Sequence, residues 1–523
     1  METGVFTRHG IPEKIQKSIK NAKVNVIFYV ITAVLAFFSR KVFLDNLGTE
    51  FLGLSSTLGD ILNLMNITEL GIGTAVGVTL YKPLYNDERE KISDIISVYG
   101  FLYSRIGLLI GGGSILLSCF FPLFFKDINM PLGLVYFMFF SMVYGALLSY
   151  FINYRQIILS ASQNNYVIVY RYNTITIVKT LLQMASSFLP FCYIWWIGLE
   201  LVAGTVNSLI LHLSVKKRYP WLNTSIKLGK AKFKDYKELW VKTKQVFAFK
   251  VSHLIFNGSI NIFISIFSSL SMVAVYGNYN MLLSKITAFF DGLFSSMGAS
   301  IGNLIAEGDK DKLLKVFFEL MSLRYFVAGL CSITLYFAVP KLITVWLGEK
   351  YILPQLVLIL MSIHIFILQA RLTVTNFKDA YGLFQDVWAP IAEVLISVSL
   401  SLILGKFYGL PGILFAFTMA DLLVKICWQP YYLFKKGFHV SVVREYVPVF
   451  LRYMILLAIA MGGIIYLERK VGALINATSF VGAFAYCLLI GGMVLFLLMI
   501  LFMCFDKNFR YFIIHIRGYI KNK

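Results

Sequence analysis

Charge is scarce in this sequence. Of its 523 residues 14% are charged and 58% hydrophobic, whereas a soluble domain is about one-quarter charged and about half apolar. The polar side chains needed to cover a water-facing surface are missing. Acids are the scarcest, 27 Asp and Glu against 48 Lys and Arg, for a formal net charge of +21. Six cysteines (Cys119, Cys192, Cys331, Cys427, Cys487, Cys504) lie scattered in apolar runs without a CxxC pair. That excludes a disulfide framework and a paired-thiol metal site, and the thiols read as small hydrophobes. There is no GxxxxGK[ST] and no HExxH, so neither a P-loop nucleotide site nor a zinc-protease centre is encoded. No cofactor, no metal and no enzymatic activity are expected.

What the chain has instead is apolar runs of about 20 residues, the length a helix needs to cross the hydrocarbon core of a bilayer. Fourteen can be marked, at 24–43, 53–80, 95–122, 131–154, 168–188, 195–214, 247–268, 278–303, 316–339, 353–376, 387–405, 410–433, 446–466 and 481–504. The expected fold class is an all-α integral membrane protein. Residues 1–23 are polar and basic, and no small-residue cleavage site follows them, so the first apolar run reads as a retained helix, not a removed signal peptide.

The basic excess has a direction. With the amino terminus inside, cytoplasmic segments hold about 32 Lys and Arg, outer loops about 8 and spans about 8, which accounts for all 48. This positive-inside bias places both termini in the cytoplasm. The largest basic block runs from Lys216 to Lys244, with Phe233, Tyr236 and Trp240 on one helical face. It reads as a helix at the inner headgroup layer beside anionic lipid, not as a nucleic-acid surface. The tail repeats the pattern, Phe509, Ile513, Ile516 and Ile520 forming a stripe opposite Arg510 and Arg517.

An internal duplication is legible. Gly73 and Gly77 form a GxxxG that recurs as Gly298 and Gly302, displaced by 225. Each is followed by a polar turn, Asn86-Asp-Glu-Arg-Glu-Lys91 and Glu307-Gly-Asp-Lys-Asp-Lys312. Arg105 and Pro122 recur as Arg324 and Pro340, and Arg155 as Arg371, at offsets of 219, 218 and 216. The copies are six spans long, an even number, so they share one orientation, and substrate is expected between them near the midplane. The expected organisation is a segment 1–23, an N-lobe 24–214, a basic linker 215–246, a C-lobe 247–434, two further spans in 435–505 and a tail 506–523. The glycine pairs read as close-packing surfaces.

Charges inside spans are costly, about 2.5–3.5 kcal/mol at a helix centre, and usually face a wet cavity. Arg171, Lys425 and Arg452 lie near helix ends, where snorkelling explains them. Arg105 and Arg324 lie about ten residues, or about 15 Å, inside the cytoplasmic edge. They, with Lys179, Lys250 and Lys285, form the candidate cavity cations. The intramembrane acids are Asp60, Glu69, Glu200, Asp291, Glu393 and Asp421. Subtracting 225 from Lys285 lands on Asp60, so these two are expected to pair across the repeat and close the outer side. Asp60, Glu69, Asp291 and His253, three residues after Lys250, are the gating or coupling candidates. A cavity rich in cations suits an anionic cargo such as a diphosphate, for which Arg offers paired donors.

Four stretches carry a resemblance. They are Glu69-Leu-Gly-Ile-Gly-Thr-Ala75 with Leu80-Tyr-Lys-Pro-Leu84; Val275-Tyr-Gly-Asn-Tyr279 with Ser300-Ile-Gly-Asn-Leu304; Pro340-Lys-Leu-Ile-Thr-Val-Trp-Leu-Gly348; and Phe377-Lys-Asp-Ala-Tyr-Gly-Leu-Phe384 with Trp388-Ala-Pro-Ile-Ala-Glu393 and Gly409-Leu-Pro-Gly412. Over about residues 20–440 the chain resembles the polysaccharide-exporter branch of the multidrug/oligosaccharidyl-lipid/polysaccharide (MOP) superfamily, in particular Wzx-type O-antigen or capsule repeat-unit flippases. The resemblance implies two six-helix lobes arranged as in the multidrug exporters, with two added carboxy-terminal helices. It also implies alternating access that moves undecaprenyl-diphosphate-linked oligosaccharide across a bacterial inner membrane. The implied partners are that glycan, membrane lipids, H+ or Na+ as coupling ion, and polysaccharide polymerase machinery around a monomeric transporter. One position departs: Ile260 precedes Asn261-Ile-Phe-Ile-Ser265, where relatives often carry an acid.

Three other readings are open. Lipid II or teichoic-precursor flipping would use the same fold. A cation-coupled multidrug exporter would need a carboxylate-rich cavity, against the excess of buried bases here. A membrane polymerase or ligase would need a large outer loop, and the longest, near Glu468 to Phe480, has about a dozen residues.

Overall fold

A computed structural model describes residues 11–65, 72–126, 128–162, 164–236, 255–256, 258–294, 301, 304–305, 309–383, 385–471 and 479–521. Every regular element among them is helical. A helix bonds its backbone groups within the segment, as a bilayer interior requires.

The main helices are α1 (Ile11–Met65), α2 (Ile72–Tyr85), α3 (Arg89–Ser118), α4 (Leu132–Phe151), α5 (Asn165–Ser186) and α6 (Cys192–Arg218). Then come α7 (Gly258–Phe267), α8 (Leu270–Phe294), α9 (Lys310–Leu347), α10 (Gln355–Ala370), α11 (Trp388–Tyr408) and α12 (Leu410–Phe438). The chain ends in α13 (Val442–Val471), α14 (Phe480–Phe505) and α15 (Lys507–Lys521). Ten of these helices are long and apolar enough to cross a membrane, among the described residues. Four expected spans are not among the ten. Those at 53–80 and 247–268 run partly outside the described residues, α2 and α7 being their described parts beyond α1, while α5 is diluted by Arg171, Thr174, Lys179 and Gln183 and α8 by Asn278, Asn280, Lys285 and Asp291. The chain is a multi-pass α-helical membrane protein.

Local signals explain the helix ends. Within α1, Gly48 adopts φ 80°, ψ 167° and divides the long helix into two rods, a conformation open to glycine because it has no Cβ. The side chains of Asp309 and Ser479 cap α9 and α14, accepting from the amides of Lys312 and Gly482, each at 3.0 Å. Between α11 and α12, Gly409 turns the chain at φ 60°. A Cβ on Gly412 would lie 2.2 Å from the Leu404 carbonyl oxygen, so only glycine permits this hairpin to close.

The helices divide into two compact units, Met1–Ala274 and Val275–Lys523. In the first, α1 packs on α5, α3 on α4 and α4 on α6. Helix α7 belongs here too, tied to α1 by the Asn261 amide, which donates to Asp60 Oδ2 at 2.7 Å. In the second, α9 lies against α10 and α14, and α11 against α12. An aromatic cluster of Phe317, Phe377, Phe434 and Phe438, with ring centroids 5.2–5.8 Å apart, forms its core.

The described part of the basic linker is docked, not laid out as one amphipathic helix. A short helix, Ile226–Lys232, is followed by a tight turn, Phe233–Tyr236. Phe233 packs on Phe101 of α3 at 5.8 Å, and Lys232 Nζ lies 3.5 Å from Asp94. Trp240 lies outside the described residues.

Candidate transport site

Arg105 and Arg324 occupy matching places in the repeat, yet they meet different surroundings. Arg105 is exposed on α3, its guanidinium 5.5 Å from the ring of Phe101, and it pairs with no carboxylate among the described residues. Arg324 on α9 is 5% exposed. Its Nη1 donates to Gln369 Oε1 of α10 at 3.1 Å and lies 3.8 Å from Asp291 Oδ1 of α8. Asp291, a gating candidate from sequence, is thereby placed as a neighbour of Arg324. Lys179 on α5 is also matched by an acid. Its Nζ donates to both oxygens of Glu200 on α6, at 2.9 and 2.8 Å. Gln183 adds a bond to Glu200 Oε2 at 3.2 Å and one to the Trp196 carbonyl at 3.0 Å. Lys285 is half-buried on α8. Lys250, His253 and Glu69 lie outside the described residues.

The sequence listed Lys425, Glu393 and Asp421 singly; the fold gathers them. Lys425 Nζ sits 2.8 Å from Glu393 Oε1 and bonds Asp421 one turn earlier. His364 Nδ1 of α10 lies 3.0 Å from the other Asp421 oxygen. Lys425 is 6%, Glu393 7% and Asp421 0% exposed. Snorkelling therefore does not apply to Lys425: its ammonium turns inward to two carboxylates. The stretch that carries it, Leu422–Trp428, is wound as a π-helix, a widening frequent at functional sites. A second buried pair, Lys378 Nζ to Asp386 at 2.6 Å, stands nearby in the chain, Trp428 Nε1 donating to the same carboxylate at 3.2 Å. Spacing alone could have flagged only Asp421 and Lys425, four apart on one helix.

Arg452 is likewise held by a partner. Asp506, fully buried between α14 and α15, accepts from Arg452 Nη2 at 2.6 Å, from Tyr453 at 3.2 Å, from Ser322 and from the Phe509 amide at 3.1 Å. Phe509 packs against Phe326 and, edge-on, against Phe502, with ring centroids 5.1 and 5.5 Å apart, so the apolar stripe of the tail starts against the protein.

A cavity of about 390 Å³ opens among α9, α10, α12 and α13, with Tyr336, Ile363, Phe366, Ile426, Phe450 and Leu457 among its walls. Its lining contains no charged residue, so it suits hydrocarbon. No group of His, Cys, Asp and Glu that could hold a metal occurs among the described residues.

No family model matches the sequence, and no curated protein matches it. The fold has clear counterparts. A structure described as the lipid II flippase MurJ in an inward closed conformation superposes with a TM-score of 0.63 at 15% identity, covering 92% of this chain and 99% of that one. An inward-facing multidrug resistance MATE family transporter of the MOP superfamily gives 0.57 at 12% identity, over 79% of this chain and 98% of that one. The outward-facing form of such a transporter gives 0.51 at 13% identity, over 81% and 94%. This chain has the fold of MOP-superfamily transporters.

Proposed function

We propose that this protein flips lipid-linked oligosaccharide, specifically undecaprenyl-diphosphate-linked repeat units, from the inner to the outer leaflet of a bacterial inner membrane by alternating access. The observation that carries this reading is the apolar cavity, walled in part by α13. The multidrug transporters match about four-fifths of this chain, whereas the flippase matches nearly all of it. A chain with helices to spare beyond the multidrug core, and a hydrocarbon-lined recess on one of them, has a place for a long isoprenoid tail that a soluble drug would not need.

The candidate contacts for a diphosphate headgroup are the cations. Since Lys179 and Arg324 are matched by Glu200 and Asp291, exposed Arg105 is the cation most available to a diphosphate, through paired N–H donors. The Lys and Arg bias supports an orientation with both termini in the cytoplasm. Lipid II or a teichoic precursor shares the diphosphate and the polyprenyl tail, and is the second reading.

The test is leaflet access. In cells lacking the protein, lipid-linked repeat units should become inaccessible to a membrane-impermeant hydrolase added to spheroplasts, and wild-type but not Arg105→Gln protein should restore access. Unchanged access in the deleted strain would end the proposal. Restored access with stalled peptidoglycan instead of stalled surface polysaccharide would shift it to lipid II.

A further inference from the structure

Where α4 ends, α6 ends and the linker begins, a cavity of about 260 Å³ is walled by Arg155, His212, Lys216, Tyr219, Asn223 and Thr224, with no carboxylate in its lining. It lies wholly in the first unit, apart from every residue assigned to the transport path. Arg155, on the tight turn Asn153–Gln156 after α4, is half-buried and has only neutral partners among the described residues. Its Nε donates to Thr224 Oγ1 at 2.9 Å and to Tyr154 at 3.3 Å, its Nη2 to the Thr224 carbonyl at 3.4 Å, and its Nη1 faces His212 Nδ1 at 3.3 Å. A guanidinium has five N–H groups. These contacts use three, and leave one on each terminal nitrogen without an acceptor.

The neighbour fixes its own tautomer. A ring nitrogen that faces a guanidinium must accept, so His212 Nδ1 is bare and Nε2 carries the hydrogen, a further donor. Lys216, one turn along α6, is exposed and makes no hydrogen bond or ion pair among the described residues. Asn223 adds an amide. The carbonyl end of α6 contributes about half a negative charge, which Lys216, Lys217 and Arg218 in its last turn outweigh. A half-buried cation without a counter-ion is an unmatched charge, and the donors around it are arranged as a fork with two flanking arms.

We propose that this cavity binds a phosphate group at the cytoplasmic face: the Arg155 fork takes two oxygens, and Lys216 and His212 Nε2 hold the third. The phosphate comes either from an anionic phospholipid of the inner leaflet or from a free diphosphate, and either source satisfies the same donors. The site is independent of the transport reading.

The test uses the purified full-length protein in neutral detergent, with dioctanoyl phosphatidylglycerol, inorganic diphosphate and, as a phosphate-free control, dioctanoylglycerol as probes. Binding is read by native mass spectrometry and by the shift in melting temperature. Wild type should bind phosphatidylglycerol or diphosphate and not dioctanoylglycerol; response to the lipid alone names the lipid as source, and response to diphosphate names the free anion. Arg155→Gln should weaken that binding at least tenfold and Arg155→Lys, which keeps charge but loses the fork, nearly as much. Lys216→Gln should weaken it several-fold while the ligand-free melting temperature stays unchanged, so it decides the matter if the Arg155 variants misfold. Failure of wild type to bind either phosphate probe, or binding by Lys216→Gln equal to wild type, overturns the proposal.

Discussion

Lys425 Nζ lies 2.8 Å from Glu393 Oε1, a cation of α12 meeting an acid of α11 inside the second unit, with Asp421 on its other side. Two buried carboxylates thus share one ammonium. Lys425 lies in the stretch of α12, Leu422–Trp428, that is wound as a π-helix.

Removing that ammonium should be costly. Lys425→Met leaves two buried carboxylates facing each other, and breaking a buried pair from one side costs about 3–5 kcal/mol. The purified variant should melt well below wild type or fail to accumulate. Adding Glu393→Gln and Asp421→Asn to Lys425→Met should recover much of the loss. A single variant that melts like wild type would contradict the pairing.

The two repeat-related arginines should separate under substitution. Arg105→Gln acts on an exposed side chain and should leave expression and melting unchanged while lowering leaflet transfer. Arg324→Gln removes the charge beside Asp291 and should lower stability as well, by about 1.5–3 kcal/mol for a charged hydrogen bond. Expression, melting and transfer measured on both variants check this; equal stability losses would refute the distinction.

Asp506 should control whether α15 stays docked. Asp506→Ala removes the acceptor for Arg452, Tyr453, Ser322 and the Phe509 amide. Limited trypsin treatment of inside-out vesicles should then cut at Lys507 and Arg510 markedly faster than in wild type. Unchanged cleavage would mean that the Phe509 contacts with Phe326 and Phe502 suffice.

Filling the apolar cavity should discriminate by tail length. Ala458→Trp places an indole at a wall of the 390 Å³ space. Transfer of a substrate with a full polyprenyl tail should fall several-fold, while a short-tailed analogue should be affected less. Equal inhibition of both would detach the cavity from tail binding.

The spans show how far periodicity reaches. Ten helices stand where long apolar runs predict them, because in a bilayer hydropathy alone selects the spanning segments. The expected runs 53–80 and 247–268 lie partly outside the described residues, and α5 and α8 lose apolarity to charges such as Lys179 and Asp291, which meet Glu200 on α6 and Arg324 on α9. The paired Lys179 and Glu200 were both legible as intramembrane charges, but 21 residues separate them, and no period along one helix connects them. For Lys425, position near a helix end pointed to snorkelling; Glu393 on α11 and Asp421 one turn earlier on α12 drew it inward.

By itself, then, the amino-acid order determined the solvent this protein lives in and most of the runs long and apolar enough to cross it, since these depend on composition within one segment. Which charges are spent on each other and which stay open was decided only when helices distant in sequence came together. Arg105 and Arg324 sit at equivalent repeat positions, yet one is exposed and the other is held by Gln369 and Asp291. A charge is neutralised by what lies within a few ångströms in space, and that distance is set by tertiary packing.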